Sequence, residues 1–294
     1  MTDFHGHTTR HISSKSVQLD CLETAGPRIV RLSYKNSGNL LAEVPEASVS
    51  TPHGEYRIFG GHRLWHAPEA MPRSYVPDGE GVTVSEIPTG VVLEGTTEKP
   101  TGIRKRIEVR LQPDEAQLTL IHTLMNDGSW EVELAAWAIT MFRLGGTALL
   151  PIRAANAPTE GLLPDRHISF WPYTRLDDPR LCLRDGFILV RPAADLPPLK
   201  IGAFNPEGWI AYWLDGILFR KTFAVSPGRP HPDYGCNAEI YCDNRGIELE
   251  SLGPLSKVPA GGQVQHTETW ELYDVMQQDF LSGEMVRQLL EGSS

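Results

Sequence analysis

The chain has 294 residues, of which 40% are hydrophobic and 22% are charged, a composition typical of a globular protein rather than a disordered one. The formal net charge of −10, with no basic run interleaved with aromatic residues, argues against nucleic acid and anionic membrane surfaces as partners. No window is apolar enough for a membrane span, and residues 1–16 lack the apolar stretch of a secretory signal. We therefore expect no nucleic-acid partner, no membrane association and a cytoplasmic location.

Residues 1–14 are polar and contain His5, His7 and His11. Nothing in this segment fixes the geometry of the three imidazoles, so it is predicted to be a flexible or loosely packed arm rather than a metal site. The four cysteines of the chain include no CxxC pair, which argues against a disulfide scaffold and against a structural zinc site. Reduced thiols agree with a cytoplasmic location.

Alternation of apolar and polar residues dominates the rest of the chain, and turn residues interrupt it at short intervals. Asp215-Gly216 and Asn244-Arg245-Gly246 are typical of tight hairpin turns, and the tail from Val275 to Leu290 has the spacing of an amphipathic helix. Many strands without alternating helices predict an antiparallel all-β sandwich or barrel that forms one domain over residues 1–294. The predicted strands are 28–34, 82–86, 90–96, 103–112, 117–126, 131–142, 209–214, 217–223, 238–243, 246–252 and 264–273.

Several predicted strands place an ionisable residue on their apolar face. His266 and Glu268 share the face of strand 264–272 that carries a tryptophan, His122 and Lys221 lie among leucines and phenylalanines, and Glu239 shares a face with a tyrosine. Aromatic planes and hydrogen-bonding side chains together suit a small-molecule sugar or sugar acid. The alternative is that Lys221–Glu268 and His122–Glu239 are satisfied core pairs without a ligand.

A second pattern of potential ligands is His62, His66 and Glu69, spaced as i, i+4 and i+7. This spacing forms a metal site when it lies on a helix, but Gly60-Gly61 precedes it and Pro68 interrupts it. We therefore predict no metal ligand and no cofactor. The chain also lacks a GxSxG elbow, a Walker A loop and a GxGxxG turn, which excludes the common signatures of hydrolases, P-loop proteins and dinucleotide folds.

Three segments, residues 58–69, 118–140 and 231–273, resemble the aldose 1-epimerase (galactose mutarotase-like) superfamily, and the resemblance is closest to its divergent branch. The resemblance implies a large antiparallel β-sandwich, the galactose mutarotase-like supersandwich, to which the helical pattern of the tail adds a short C-terminal helix. It also implies a sugar site in which a late glutamate takes the proton of the anomeric hydroxyl and a histidine acts as the acid.

The resemblance assigns the base to Glu250 and the substrate-binding arginine to Arg63, with His62 at the place of an asparagine. The acid histidine would fall near Trp137, which cannot transfer a proton. By parity Glu250 faces solvent, so Glu268 and Glu239 remain alternatives. The expected catalytic residues are Glu250, His122, Glu268 and His266, and the expected substrate-binding residues are His62, Arg63, Trp137, Lys221 and Glu239.

Three functions remain open from the sequence. The first is an epimerase-like enzyme that interconverts the anomers of a sugar by proton transfer between a glutamate and a histidine. The second is a non-catalytic carbohydrate-binding or sensing module, which Trp137 in place of histidine favours. The third is a metal-assisted carbohydrate lyase or hydrolase that uses His62, His66 and His122.

Overall fold

The computed structural model describes residues 2–79, 81–152 and 164–276. Two large antiparallel sheets make up most of this part of the chain. The helical elements described are one 3-10 turn, Arg73–Tyr75, and a four-residue helix α1, Pro232–Gly235. None of the described helices has the length and apolar character needed to cross a membrane.

The first sheet has 12 strands, ten of which form its main path, while the other two each pair with one strand of that path. Its strands are β1 (Thr2–Phe4), β2 (His7–Ser13), β3 (Val17–Leu22), β4 (Arg28–Tyr34), β5 (Glu43–Thr51), β6 (Gly54–Ala67), β11 (Val132–Phe142), β13 (Ser169–Phe170), β16 (Leu199–Ala203), β19 (Ala238–Cys242), β20 (Ile247–Leu252) and β21 (Ser256–Val258). The order along the main path is β1-β2-β3-β4-β6-β11-β20-β19-β16-β13.

The second sheet has 10 strands in the order β14-β15-β12-β17-β18-β22-β10-β9-β8-β7. Its strands are β7 (Thr83–Ile87), β8 (Gly90–Glu94), β9 (Ile103–Leu111), β10 (Gln117–Asn126), β12 (Thr147–Pro151), β14 (Leu181–Arg184), β15 (Phe187–Val190), β17 (Trp209–Leu214), β18 (Ile217–Phe223) and β22 (Gln263–Asp274).

The main hydrophobic core lies between the two sheets. Leu249 and Ile240 of the first sheet belong to the same buried cluster as Leu120, Phe219 and Trp270 of the second. Each of these side chains is less than 2% exposed, and alternate residues of each strand point away from the core. The architecture confirms the predicted antiparallel β-sandwich.

The hairpin between β17 and β18 has the predicted two-residue loop. Leu214 pairs with Ile217, and both loop residues, Asp215 and Gly216, have positive φ (52° and 81°). Positive φ at both central residues is the type I′ geometry, which matches the twist of the flanking strands. An Asp-Gly pair adopts it readily.

At the start of the chain the structure differs from the prediction, and at its end most of the predicted helix is not described. Residues 1–14 were expected to form a loose arm, but β1 and β2 pair with each other and β2 pairs with β3. Phe4 is fully buried in a cluster with Phe59, so this hydrophobic contact attaches the segment to the sheet. The predicted helix from Val275 to Leu290 lies outside the described residues from residue 277 onward.

Strand β6 bends where it changes partners. Its first part pairs with β5, and after Gly60-Gly61 it pairs with β11 and with the start of β4. Both glycines have positive φ (85° and 65°), and a Cβ on Gly61 would lie 2.1 Å from the carbonyl oxygen of Ile29. The bend brings the next two residues, His62 and Arg63, into the centre of the sheet.

Gly61→Ala is therefore expected to destabilise the fold by about 1–3 kcal/mol or more, because it combines a strained φ with a backbone clash. Urea unfolding of the variant measures the change in the free energy of unfolding. Gly38→Ala is the control, since a Cβ at Gly38 meets no atom within 4 Å. Equal stabilities of the two variants would show that the bend does not require glycine.

Candidate functional site

The predicted site residues lie on the two sides of the first sheet, one group on its outer face and the other in the space between the two sheets. Alternation along β20 turns Leu249 toward the core between the sheets and turns Glu250 to the outer face. The outer face carries six side chains from neighbouring strands, here called the outer cluster. The space between the sheets holds six others, here called the interior cluster. The outer cluster is Arg63, Trp137, Lys200, Glu239, Glu248 and Glu250, and the interior cluster is His62, His122, Lys221, Ser251, His266 and Glu268.

The centre of the outer cluster is a lysine between two glutamates. Glu239 of β19 and Glu250 of β20 lie directly opposite each other in the strand register. Lys200 of β16 bridges them, with its Nζ 2.7 Å from Glu239 Oε2 and 2.9 Å from Glu250 Oε2. Like charges opposite each other on a sheet destabilise it, so the ammonium between them is needed to hold the pair together.

Two carboxylate oxygens of this group remain without a partner. Both glutamates are fully buried, yet Glu239 Oε1 and Glu250 Oε1 have no hydrogen-bond partner among the described residues. Buried polar atoms are almost always hydrogen-bonded, to protein or to bound molecules. The outer cluster therefore holds two unsatisfied acceptors, both covered by neighbouring side chains.

Aromatic side chains surround the carboxylates. The indole Nε1 of Trp137 donates a hydrogen bond of 2.7 Å to Glu250 Oε2, and the Lys200 Nζ lies 4.6 Å from the Trp137 ring and 4.7 Å from the Trp171 ring. Trp171 is half-buried and Tyr173 is 44% exposed. Flat aromatic faces beside hydrogen-bonding groups are the usual means of binding a sugar ring.

A second ion pair adjoins this group. Arg63 Nη1 donates to Glu248 Oε1 at 3.0 Å, and the guanidinium lies 4.6 Å from the ring of Trp65. Trp65 and Trp137 are cross-strand partners whose ring centroids are 5.2 Å apart. The arginine is thus held in place by Glu248, and its buried Nε has no partner among the described residues.

Burial and charge crowding alter the acidity of the outer cluster. Burial raises the pKa of Glu239 well above its usual value of 4.5, and the nearby charge of Glu250 adds to the rise while Lys200 opposes it. Burial likewise raises the pKa of Glu248, and Glu250 again contributes. Burial and the neighbouring charge thus favour a proton on Glu239 more than on an exposed glutamate.

The interior cluster contains an ion pair between the sheets. Lys221 Nζ lies 2.8 Å from Glu268 Oε1 and donates to the carbonyl oxygens of Leu249 (3.0 Å) and Ala138 (3.3 Å). The three N–H donors of the ammonium therefore have three acceptors. Trp270 Nε1 donates to the other carboxylate oxygen of Glu268 at 2.8 Å. This is one of the two core pairs considered from the sequence.

Histidines complete the interior cluster. His122 Nδ1 lies 3.0 Å from the carbonyl oxygen of His266, so it carries the proton and leaves Nε2 as an acceptor. His62 Nε2 lies 2.7 Å from that atom and is the donor, while His62 Nδ1 accepts from the Thr140 hydroxyl at 2.9 Å. Ser251 Oγ joins His266 Nε2 (2.7 Å) to Glu268 (2.5 Å).

The ligand atoms of His62, His122 and Glu268 lie within 4.8 Å of one another, and their residue types suit zinc. However, the two imidazole Nε2 atoms are hydrogen-bonded to each other, and the Lys221 ammonium pairs with the carboxylate. A cation there would have to displace these bonds beside a positive charge. The interior cluster is better explained as a hydrogen-bonded network that stabilises the fold.

This network predicts a loss of stability in acid. Burial lowers the pKa of His266 to about 3, whereas in the unfolded chain it titrates near 6.5. Because the unfolded state then binds the proton that the folded state does not, stability falls as pH drops below about 6.5. Between pH 7 and 5.5 this histidine should cost about 1.3 kcal/mol.

Urea unfolding of the wild type and of His266→Gln at pH 7 and 5.5 measures this contribution. The drop on acidification should be smaller in the variant by about 1.3 kcal/mol, because all other titrating groups are common to both proteins. Equal drops in the two proteins would show that folding does not lower the pKa of His266.

The structure separates the predicted residues into two sets. Four of them, Arg63, Trp137, Glu239 and Glu250, come together in the outer cluster, whereas five, His62, His122, Lys221, His266 and Glu268, lie in the interior cluster. Glu250 was expected to face solvent, but it is buried because the outer face is itself covered here. His122 does not pair with Glu239, since they lie on different sides of the first sheet.

Lys200, Glu248, Trp171 and Tyr173 were not among the predicted site residues. Lys200 lies between the apolar residues Leu199 and Ile201, which indicates a strand with a charged residue on its outer face. The preceding prolines obscure this signal. Glu248 shares the parity of Glu250. Trp171 and Tyr173 follow the two-residue strand β13 at the edge of the sheet, where no periodic pattern marks them.

Comparison with solved structures identifies the fold. The chain is similar to the Slr1438 protein of Synechocystis (13% identity, TM-score 0.58, covering 93% of this chain and 99% of that one). It is also similar to galactose mutarotase-like proteins of Lactobacillus casei (12%, TM-score 0.53, 90% and 100%) and Clostridium acetobutylicum (8%, TM-score 0.50, 94% and 98%). No protein-family model and no curated protein matches the chain.

Proposed function

We propose that this chain, which has the galactose mutarotase-like fold, binds an aldose at the outer cluster. Glu250 and Glu239 would each exchange a proton with the sugar and so interconvert its anomers. The observation that supports the proposal most strongly is the pair of buried carboxylates with two unpartnered oxygens beside Trp137. Sugar hydroxyls would satisfy these acceptors, and the indole ring would cover an apolar face of the sugar.

The proposed chemistry needs one base and one acid near the anomeric carbon. Glu250 takes the proton of the O1 hydroxyl while protonated Glu239 gives a proton to the ring oxygen, so that the C1–O5 bond breaks and an aldehyde forms. After rotation about C1–C2, Glu239 takes the proton back, O5 attacks the other face of the carbonyl and Glu250 returns its proton to O1. Both oxygens are bonded to the same carbon, so adjacent carboxylates suffice.

Lys200 and Arg63 would have supporting roles. The Lys200 ammonium contacts both carboxyl groups and would stabilise whichever of them is ionised. Arg63, held by Glu248, would donate hydrogen bonds to a substrate hydroxyl. A histidine acid is not part of this proposal, because His62, His122 and His266 belong to the interior cluster.

The alternative is a carbohydrate-binding module without catalysis. It is favoured by Trp137, which occupies the position where the superfamily resemblance implies an acid histidine. In that case the carboxylate pair would only accept hydrogen bonds from a sugar. Binding would then occur without interconversion of the anomers.

NMR exchange spectroscopy on a panel of free aldoses distinguishes these functions. We expect the protein to accelerate exchange between the α and β anomers of at least one aldose and to bind that sugar in a thermal-shift assay. Binding without accelerated exchange would support the module, and the absence of both across the panel would contradict the proposal. EDTA should change neither result.

A further inference from the structure

A cavity lies away from the outer cluster, and neither the proposed enzyme nor the alternative binding module uses it. It has a volume of about 590 Å³, within the range of small-molecule sites. The β5–β6 hairpin, the segment 76–79 and the loop between β8 and β9 contribute most of its lining. Phe59 of this lining has a φ of 58°, a strained backbone conformation that a bulky residue rarely adopts and that is common at ligand sites.

A buried cation lines this cavity. Lys105 is only 4% exposed, and its one acceptor among the described residues is Glu98 Oε1 at 2.5 Å. An ammonium has three N–H donors, so two of them remain available. Burial lowers the pKa of Lys105, but Glu98 outweighs this effect and the pKa is raised overall, which keeps the group charged.

The carboxylates of the lining are already engaged. Glu98 also accepts from the Thr101 hydroxyl at 2.6 Å and contacts His66 Nε2 at 3.4 Å. Asp78 pairs with the fully buried Arg28 at 2.8 Å, and Glu55 accepts from the Ser48 hydroxyl at 3.0 Å. Glu98 and Asp78 are therefore neutralised by Lys105 and Arg28, and Glu55 is the one carboxylate of the lining without a cationic partner among the described residues.

The exposed cations of the lining, unlike two of its carboxylates, are not engaged in ion pairs in the part of the chain that the structure describes. Arg57 and Lys99 both line the cavity and both are exposed. Across residues 2–79, 81–152 and 164–276, neither of them has a carboxylate within ion-pair distance. Together with Lys105 they provide three positively charged groups around one space, in a chain whose net charge is −10.

From this geometry we infer that the cavity is a binding site for a small anion with phosphate or carboxylate groups, held by Arg57, Lys99 and Lys105. Arginine and lysine bind such groups through charge-assisted hydrogen bonds. The site is separate from the outer cluster, so the inference does not depend on the proposed reaction.

Isothermal titration calorimetry with inorganic phosphate, and separately with citrate, at constant ionic strength tests the inference. We expect saturable binding of one anion per chain for at least one of them, and a loss of affinity of about tenfold to hundredfold in Arg57→Ala/Lys99→Ala. The matched control is Arg184→Ala/Lys257→Ala, which removes two exposed positive charges elsewhere.

The control should retain the affinity of the wild type, and both variants should melt at the wild-type temperature without anion. An equal loss in the two variants would show a general charge effect and overturn the inference. The absence of saturable binding of either anion to the wild type would overturn it as well. Preference for phosphate or for citrate identifies which anionic group the site takes.

Discussion

Glu250→Gln is expected to reduce the acceleration of anomer exchange by about 10²–10⁴-fold, because glutamine cannot accept the O1 proton. The side chain keeps its shape and can still accept the hydrogen bond from Trp137 Nε1. Lys200 retains the carboxyl group of Glu239 as a partner at 2.7 Å, so the fold should be preserved. The measurement is the exchange rate between the anomers by NMR, at matched concentrations of folded protein.

Two further variants make this result specific. Glu115→Gln is the control, since Glu115 is exposed in the loop between β9 and β10 and should retain full activity. Glu239→Gln should also lose activity, because it removes the proposed acid while leaving Glu250 paired with Lys200. Full activity of Glu250→Gln would exclude Glu250 as the base and would leave Glu239 as the candidate base.

Lys221→Met should lower the free energy of unfolding by about 3–5 kcal/mol, the cost of leaving a buried carboxylate without its cation. Both members of the Lys221–Glu268 pair are fully buried between the sheets. The methionine also leaves the carbonyl oxygens of Ala138 and Leu249 without their donor. Urea unfolding followed by tryptophan fluorescence measures the loss.

The same substitution at an exposed lysine gives the control. Lys35 pairs with Asp274 at the surface, where both side chains are more than half exposed. Exposed pairs contribute about 0–1 kcal/mol, so Lys35→Met should leave stability nearly unchanged. If both variants lost the same small amount, the interior cluster would not be a stabilising network.

The strands and the faces of the sheet could be predicted from alternation, because side chains on a strand point to opposite sides in turn. Alternation separates Glu250 from Leu249 correctly, but it does not tell which face is covered. Glu250 was therefore assigned to solvent, although aromatic residues from β11 and from the segment after β13 bury that face. The carboxylate pair depends on register between β19 and β20, which only the fold supplies.

The interior cluster shows a second limit of prediction from the sequence. His122, His266 and Glu268 were grouped with the sugar site because each lies among apolar neighbours on its strand. In a sandwich, the same pattern places a residue in the core between the sheets, where the polar groups satisfy one another. A single strand cannot distinguish a ligand-binding face from an interior face with paired polar residues, so the two clusters were merged.

We expect the sugar to bind at the outer cluster and not between the sheets. A crystal structure of the chain with the aldose that gives the largest thermal shift tests it most directly. We predict that the anomeric oxygen lies within hydrogen-bond distance of Glu250 and that the ring oxygen faces Glu239, with Trp137 beside the sugar. A sugar bound elsewhere, with the two carboxylates still unpartnered, would contradict a sugar site at the outer cluster.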